Sequence, residues 1–290
     1  MSQVLHPLSP ADREAMLALR SQLAKNLGAP TRASFDQLVE LTPPAAFVDY
    51  REARVGGVPG LWCTPPSPRP GCAILYLHGG AFILGSARAF RHFVGQLAAR
   101  AGMAAFVADY RLAPEHPFPA ACEDASDAHL ALVSELGTER VVIAGDSAGG
   151  GLALGLLAAH AKAPCGVLLS PWTDLSLTAP CIDAKASEDP LLSRAALEAG
   201  ASQYLRGQDA RHPLASPLLG SLSHVPPLLV HVGTAEILLD DSIRLDSLAG
   251  AEVHIWEGMP HVFPRNLSRF GAALDALDLA GAFVRQRVRQ

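Results

Sequence analysis

The chain has 290 residues, of which 49% are apolar and 18% are charged, and its formal net charge is −5. This length and apolar content allow one or two domains with a large buried core, and they exclude a disulfide-stabilised mini-protein, a fibre and a disordered tail. Because the charge is negative and no cluster of Lys and Arg occurs, we expect neither nucleic acid nor an anionic membrane as a partner.

The cysteines and the start of the chain favour a cytoplasmic protein. Five cysteines, an odd number, are scattered without a C-x-x-C motif, which is typical of reduced thiols. The first ten residues lack the basic and apolar segments of a signal peptide. The longest apolar run, residues 149–159, is too short to span a membrane, so we expect a buried helix there.

Helices are predicted at the start of the chain. Residues 9–28 form the first predicted helix, because Ser9 and Pro10 suit its beginning and Gly28 suits its end. A second, shorter helix is predicted over residues 34–41. No strand is predicted within residues 1–45.

From residue 47 onwards, predicted strands and helices alternate. The predicted strands cover residues 47–55, 58–63, 72–77, 103–108, 140–144, 166–170, 228–232 and 252–256. The predicted helices cover residues 90–101, 120–136, 149–161, 193–204, 241–249 and 267–287. This alternation is typical of βαβ units and predicts an α/β fold with a mostly parallel central sheet flanked by helices.

One long segment interrupts the alternation. Residues 172–220 contain a single predicted helix between two loops, and we expect them to pack with residues 1–45 over one end of the sheet. The sequence therefore predicts one domain, residues 1–290, with a core of residues 46–171 and 221–290 and a helical cap of residues 1–45 and 172–220.

The G-D-S-A-G motif at residues 145–149 lies between a predicted strand and a long apolar helix. A G-x-S-x-G sequence in this context is typical of a nucleophile elbow, in which the sharp turn requires glycine two residues before and after the serine. Ser147 is therefore the candidate nucleophile. The alternative is a glycine-rich turn that only packs or cradles a phosphate, but no dinucleotide or P-loop motif accompanies it.

The H-G-G-A-F motif at residues 78–82 follows an apolar strand that lies before the serine motif in the alternating part of the chain. Small residues let the backbone approach a ligand closely. The amides of Gly79, Gly80 and Ala81 are therefore candidate donors to an oxyanion formed on Ser147. By itself, the motif would indicate only a tight turn.

A serine nucleophile needs a histidine base and an acid, and eleven histidines compete. His261 is preferred because it lies in a loop after the last predicted strand, at the sheet edge where open α/β enzymes place active residues. The acid should follow the penultimate strand, which leaves Glu236 and Asp240 as alternatives, with Glu236 preferred and Asp240 assigned to capping the next helix. Asp189 precedes that strand and is rejected.

With these motifs the chain resembles the hormone-sensitive-lipase-like branch of the α/β-hydrolases, in particular the bacterial carboxylesterases. The resemblance extends from about residue 45 to the end. It rests on H-G-G-A-F at 78–82, Y-R-L-A-P-E at 110–115, H-P-F-P-A at 116–120, G-D-S-A-G-G at 145–150, S-P-W-T-D at 170–174 and H-V-F at 261–263.

The resemblance implies a cap over the site and oxyanion donors from the amides of Gly80, Ala81 and Ala148. The family usually has a third glycine where Ala81 stands, and its acid is commonly the Asp of a D-P-L motif, where this chain has Glu236. Phe82 and Trp172 are expected to border the substrate pocket.

These residues predict a serine carboxylesterase that hydrolyses short-chain esters through an acyl-enzyme, with a small-molecule ester as its partner. No metal or organic cofactor is expected. An amidase or lactonase with the same triad remains an alternative, as does a non-catalytic ligand-binding receptor on the same fold. The sequence does not determine the oligomeric state, and a homodimer is one alternative.

Overall fold

The computed structural model of the chain describes residues 2–23, 30–160 and 162–288. The strands of this described part are β1 (Ser2–His6), β2 (Asp49–Val55), β3 (Val58–Thr64), β4 (Ala73–Leu77), β5 (Ala104–Ala108), β6 (Val141–Asp146), β7 (Gly166–Leu169), β8 (Leu228–Gly233) and β9 (Glu252–Trp256). They form one sheet in the order β1-β9-β8-β7-β6-β4-β5-β3-β2. β3 is antiparallel to β2 and β5, whereas the other neighbouring pairs are parallel.

The helices of the described residues follow the predicted alternation. They are α1 (Pro10–Leu23), α2 (Arg32–Val39), α3 (Ala87–Ala101), α4 (Ala120–Leu136), α5 (Ser147–His160), α6 (Cys181–Ala184), α7 (Arg194–Leu205), α8 (Leu239–Ala249) and α9 (Gly271–Arg287). Short 3₁₀ turns lie at Thr138–Arg140, Pro217–Leu219 and Phe263–Arg265. As predicted, Ser9 begins the first helix, since its Oγ accepts from the Asp12 amide at 3.0 Å. Gly28 and Ala161, predicted helix ends, lie outside the described residues.

The hydrophobic core lies on both faces of the sheet. β4 and β6 are buried along their whole length, as expected for central parallel strands covered on both sides. On one face α4, α5 and α8 pack together with residues 172–222, and on the other face α1, α3 and α9 pack against the sheet. The predicted α/β architecture with a mostly parallel sheet is confirmed. None of the helices in the described ranges is long and apolar enough to cross a membrane.

One strand contradicts the sequence analysis. No strand was expected in residues 1–45, yet β1 pairs in parallel with β9 at the edge of the sheet. The pairing is stabilised by side chains: the His6 ring stacks on Trp256 at a centroid distance of 3.7 Å, and His6 Nε2 lies 2.8 Å from His254 Nδ1. These partners are about 250 residues away along the chain, so the local pattern of five residues did not reveal the strand.

The parallel strands bring the candidate residues together at the carboxyl ends of the strands. Four parallel strands finish at the same end of the sheet, and each is followed by one of the segments singled out in the sequence: β4, β6, β8 and β9. Arg32 of α2 also reaches this end, where its guanidinium donates to the carbonyls of Ile83 and Ala113. The division of the chain into core and cap segments stays a prediction.

Candidate active site

Ser147 occupies a strained turn between β6 and α5, with φ of +51°. Two flanking glycines make the turn possible by allowing close approach of backbone. A Cβ on Gly149 would lie 2.0 Å from the Leu77 carbonyl oxygen, and one on Gly145 would lie 2.4 Å from the Gly149 oxygen. A side chain at either position would therefore push the turn away from β4, which is the geometry expected of a nucleophile elbow.

Ser147, His261 and Glu236 form a continuous hydrogen-bonded chain. His261 Nε2 lies 2.9 Å from Ser147 Oγ, and His261 Nδ1 lies 2.7 Å from Glu236 Oε2. Because a carboxylate only accepts hydrogen bonds, Nδ1 carries the proton and Nε2 is left to accept from the serine hydroxyl. The sequence analysis named these three side chains, and the structure brings them together.

Glu236 is fully buried, and its second oxygen is held by two further donors. Glu236 Oε1 accepts from Ser170 Oγ at 2.8 Å and from the Gly233 amide at 2.7 Å. Ser170 Oγ in turn accepts from the Val262 amide at 3.0 Å, next to His261. These bonds compensate the burial of a carboxylate. The role of Ser170 was missed, although it opens the S-P-W-T-D motif of the sequence.

The two carboxylates that competed with Glu236 have other partners. Asp189 Oδ2 accepts from the Ile237 amide at 2.9 Å, so it holds the loop that carries Glu236 but does not reach the base. Asp240 Oδ2 accepts from the Cys181 amide at 2.9 Å. The expectation that Asp240 caps α8 is wrong, because that helix has no side-chain cap and Asp240 instead satisfies an amide at the start of α6.

Asp241 is a further buried carboxylate that holds the loop after β7. It accepts from the Thr173 amide at 2.7 Å, from the Thr173 hydroxyl at 3.1 Å and from the Asp174 amide at 3.0 Å. The adjacent Trp172 amide donates to the carbonyl of Ser147 at 2.9 Å. Burial raises the pKa of Asp241 to about 7, against the opposing effect of the hydrogen bonds from Thr173.

This raised pKa predicts a pH dependence of stability. Between the unfolded value near 3.8 and the folded value of about 7, the folded state binds the Asp241 proton more tightly than the unfolded chain does. The stability that the raised pKa contributes is therefore complete below about pH 3.8, falls by at most about 1.4 kcal/mol per pH unit as the pH rises to about 7, and changes no further above that pH. Urea unfolding from pH 5 to 8 should show a flatter profile for Asp241→Asn than for the native chain.

The exposed Asp127 provides a matched control for this comparison. Asp127→Asn makes the same chemical change at the surface, so its profile shows how much of any difference comes from the loss of one carboxylate alone. Parallel profiles for the native chain and Asp241→Asn would contradict the assignment.

Asp146, the residue before the serine, anchors the H-G-G-A-F loop. Its Oδ1 accepts from the Gly79 amide at 2.9 Å and from the Tyr76 hydroxyl at 2.8 Å. The Gly79 amide is thereby engaged, so its prediction as an oxyanion donor is corrected. The amides of Gly80 and Ala81 make no hydrogen bond to any described residue. Ala148 is the second residue of α5, where an amide has no partner within the helix.

His78 orders this loop through its ring and its backbone carbonyl. Its ring lies between Phe90 and Tyr110, with centroid distances of 5.2 and 4.4 Å. His78 Nδ1 donates to the Gly79 carbonyl at 2.8 Å, and the Tyr110 hydroxyl donates to the His78 carbonyl at 2.6 Å. His78 is thus committed to the loop and is not a competing base.

The two residues expected to border the substrate pocket are buried. Trp172 has no exposed surface, and Phe82 is 2% exposed. The Phe82 ring stacks on Tyr204 of α7 with a centroid distance of 3.8 Å, and Trp172 lies 5.8 Å from Phe82. The predicted role of Phe82 and Trp172 in the substrate pocket is therefore corrected. The two rings pack against each other and Tyr204, and neither offers surface to a ligand.

Another buried histidine belongs to the core of the sheet. His231 is fully buried on β8, where its Nδ1 accepts from Trp256 Nε1 at 3.1 Å. Burial holds the pKa of His231 well below its ordinary value, so it remains neutral in the core.

Comparisons with known proteins agree with the fold and with a hydrolase function. A family model described as the alpha/beta hydrolase fold matches residues 74–265. An acetyl-hydrolase of Streptomyces hygroscopicus is 38% identical over 272 residues, which cover 88% of this chain and 89% of that protein. An esterase of Acinetobacter venetianus is 38% identical over 258 residues, which cover 85% of each chain. The crystal structure of an esterase from the bacterial hormone-sensitive lipase family superimposes with a TM-score of 0.90 at 33% identity, covering 97% of this chain and 99% of the other.

Proposed function

The chain belongs to the α/β-hydrolase fold family, in its hormone-sensitive-lipase-like branch, and is a carboxylic ester hydrolase. We propose that Ser147, His261 and Glu236 form its catalytic triad. The observation that carries the proposal is the hydrogen-bonded chain from Ser147 Oγ through both ring nitrogens of His261 to the buried Glu236. Each group then has the partner that its role requires.

In the acylation step, Ser147 Oγ attacks the ester carbonyl carbon while His261 Nε2 takes the hydroxyl proton. The carbonyl oxygen becomes an oxyanion, which the amides of Gly80, Ala81 and Ala148 stabilise. Glu236 stabilises the imidazolium through the Nδ1 proton. The bond from the carbonyl carbon to the alkoxy oxygen then breaks, and the alcohol leaves with the proton that His261 had taken.

In the deacylation step, water repeats the attack on the acyl-enzyme. His261 accepts one proton from the water as its oxygen bonds to the acyl carbon. Collapse of this second tetrahedral intermediate releases the carboxylic acid and returns the proton from His261 to Ser147 Oγ. Both steps use the same base and the same oxyanion donors, so no further group is required.

The alternatives left open by the sequence are separated by kinetics. An amidase would use the same triad, so the rate on p-nitrophenyl acetate should be compared with the rate on the matching anilide. We expect the ester to be strongly preferred. A ligand-binding receptor would turn over neither substrate, and the intact nucleophile and base argue against it.

Limited access to Ser147 indicates short acyl groups. Ser147 and His261 are only 8% and 7% exposed, so little space beside the nucleophile is open to a bulky acyl group. We expect kcat/KM for p-nitrophenyl acetate or butyrate to exceed that for the palmitate by about 100-fold or more, because a long acyl chain needs more open space beside Ser147 than this low exposure provides. A chain-length series measures this, and an optimum at the palmitate would contradict it.

The cysteines and the assembly complete the proposal. All five cysteines are free, and burial raises the pKa of the thiol of Cys181 to about 12. Unpaired thiols support a cytoplasmic location, which fractionation of the producing cell tests. A homodimer is retained as an alternative to the monomer, and light scattering on the purified protein decides between them.

A further inference from the structure

One face of α7 lies directly against the oxyanion loop. A Cβ built on Gly200 would lie 3.0 Å from Ala81 Cβ and 3.4 Å from the Ala81 carbonyl oxygen. Four residues later, Tyr204 stacks on Phe82 with an angle of 7° between the rings. Residues four apart share a helix face, so two consecutive loop residues dock side by side on α7.

The docked loop residues have an uncommon backbone conformation. Ala81 and Phe82 have φ values of +53° and +63°, in the left-handed region that favours glycine. Such a conformation persists only where the surroundings hold it. A neighbouring element must therefore pack against Ala81 to maintain this conformation, and it must leave space for the Ala81 methyl group. Gly200 supplies the room, because any larger residue there would place a Cβ in tight contact with the Ala81 methyl group.

The helix that holds the loop is itself fixed to the body of the protein. The Tyr204 carbonyl accepts from the Phe118 amide at 2.7 Å, and the Tyr204 hydroxyl lies 3.3 Å from Cys122 Sγ. On the other side, the Ala113 amide donates to the Phe82 carbonyl at 2.9 Å. The oxyanion loop is thus clamped between α7 and the segment around residues 113–122.

We propose that Gly200 is a positioning residue for the oxyanion hole. Its missing side chain forms a notch that receives the Ala81 methyl group, and this contact sets the direction of the amides of Gly80 and Ala81 toward Ser147. The proposal rests on the proposed function, since it needs these amides to stabilise the transition state. It assigns to α7 a part in catalysis that is separate from substrate binding.

The test is a double-mutant cycle between positions 81 and 200. Gly200→Ala should lower kcat about tenfold with KM nearly unchanged, because a displacement of a few tenths of an ångström weakens donors that act mainly on the oxyanion. Adding Ala81→Gly to this variant removes the opposing methyl group and should restore kcat to within about twofold of the Ala81→Gly single variant.

Two further measurements separate positioning from general packing. Gly155→Ala, in α5, is the matched control, because its new Cβ meets no atom closer than 3.7 Å and kcat should stay unchanged. Affinity for an alkyl boronic acid, which mimics the tetrahedral intermediate, should fall in Gly200→Ala in parallel with kcat and recover in the double variant.

The outcomes distinguish this proposal from the function on which it rests. Retention of kcat in Gly200→Ala, or an equal loss whether Gly200→Ala is made in the native chain or in the Ala81→Gly variant, would overturn the positioning role while leaving the triad intact. An inactive native chain that also fails to react with an organophosphonate would instead contradict the proposed function. A fall in Tm with proportional loss of active protein, and kcat per titrated site unchanged, would also count against positioning.

Discussion

Replacement of Ser147 by alanine is expected to lower kcat for p-nitrophenyl acetate by about 10⁶-fold, because the triad acts as a unit and the reaction loses its covalent step. The oxyanion donors and the base remain, so the residual rate should still exceed that of water alone. The measurement is initial-rate kinetics on purified protein, with an organophosphonate and intact mass to count labelled serines. The native chain should gain one adduct, and the variant should gain none.

The fold should survive this change. Ala81 already adopts a φ of +53° in this chain, close to the +51° of Ser147, so alanine fits the same backbone region. Far-ultraviolet circular dichroism and Tm check this point. Ser221→Ala, at an exposed serine, is the matched control and should keep full activity. One persisting adduct in Ser147→Ala, or turnover close to that of the native chain, would show that another residue is the nucleophile.

The meeting of Ser147 and His261 was predictable because both positions depend on local chain geometry. Glycines flanking a serine between an apolar strand and an apolar helix specify the turn, and the structure shows the backbone oxygens that exclude a Cβ there. Parallel strands end at one edge, so a histidine in the loop after β9 falls beside that turn whatever the detailed packing. The order of strands and helices follows from the same alternation.

The hydrogen-bond partners of the other carboxylates were not predictable from the sequence. Asp240 bonds to an amide 59 residues away, and Asp189 bonds to one 48 residues away. A local pattern assigns such a carboxylate to the nearest helix end, which produced the wrong cap for Asp240. The amide of Gly79 was misjudged for a related reason, since Asp146 reaches it only when β4 and β6 lie side by side.

Side-chain direction also escaped the sequence analysis. Phe82 and Trp172 lie next to the catalytic motifs along the chain, which suggested that they border the pocket. The positive φ of Phe82 turns its ring toward Tyr204, and the Trp172 ring is buried behind the loop. Proximity in sequence therefore located the right segments, but the local backbone conformation decided which atoms face a ligand.

Glu236→Gln should lower kcat by about 10⁴-fold, the loss expected when the group opposite the base no longer fixes the imidazole tautomer. Glutamine keeps the shape of glutamate, but only one of its two terminal atoms accepts hydrogen bonds. Glu236 Oε1 already accepts from Ser170 and Gly233, so the amide oxygen is needed there. The amide nitrogen then faces His261 Nδ1 and donates a hydrogen bond to it. Nδ1 must therefore be unprotonated, and the imidazole proton lies on Nε2. A protonated Nε2 cannot accept a hydrogen bond from the Ser147 hydroxyl.

The opposite orientation of the glutamine side-chain amide is also unfavourable. Turning the oxygen toward His261 would set the amide nitrogen against the Gly233 amide, leaving one buried donor opposite another. Asp240→Asn is the matched comparison, since its oxygen still accepts from the Cys181 amide; kcat should be unchanged and the stability loss should not exceed about 1 kcal/mol.

Comparing Glu236→Gln with Asp240→Asn shows which of the two carboxylates orients His261. Both replace a carboxylate by an amide of the same shape within one loop and helix turn, so the change in net charge is the same. Of these two carboxylates, only Glu236 has an oxygen within hydrogen-bond distance of His261, at 2.7 Å. If turnover per titrated site falls in folded Asp240→Asn while Glu236→Gln stays active, then Asp240 orients the base and the assignment of Glu236 is wrong.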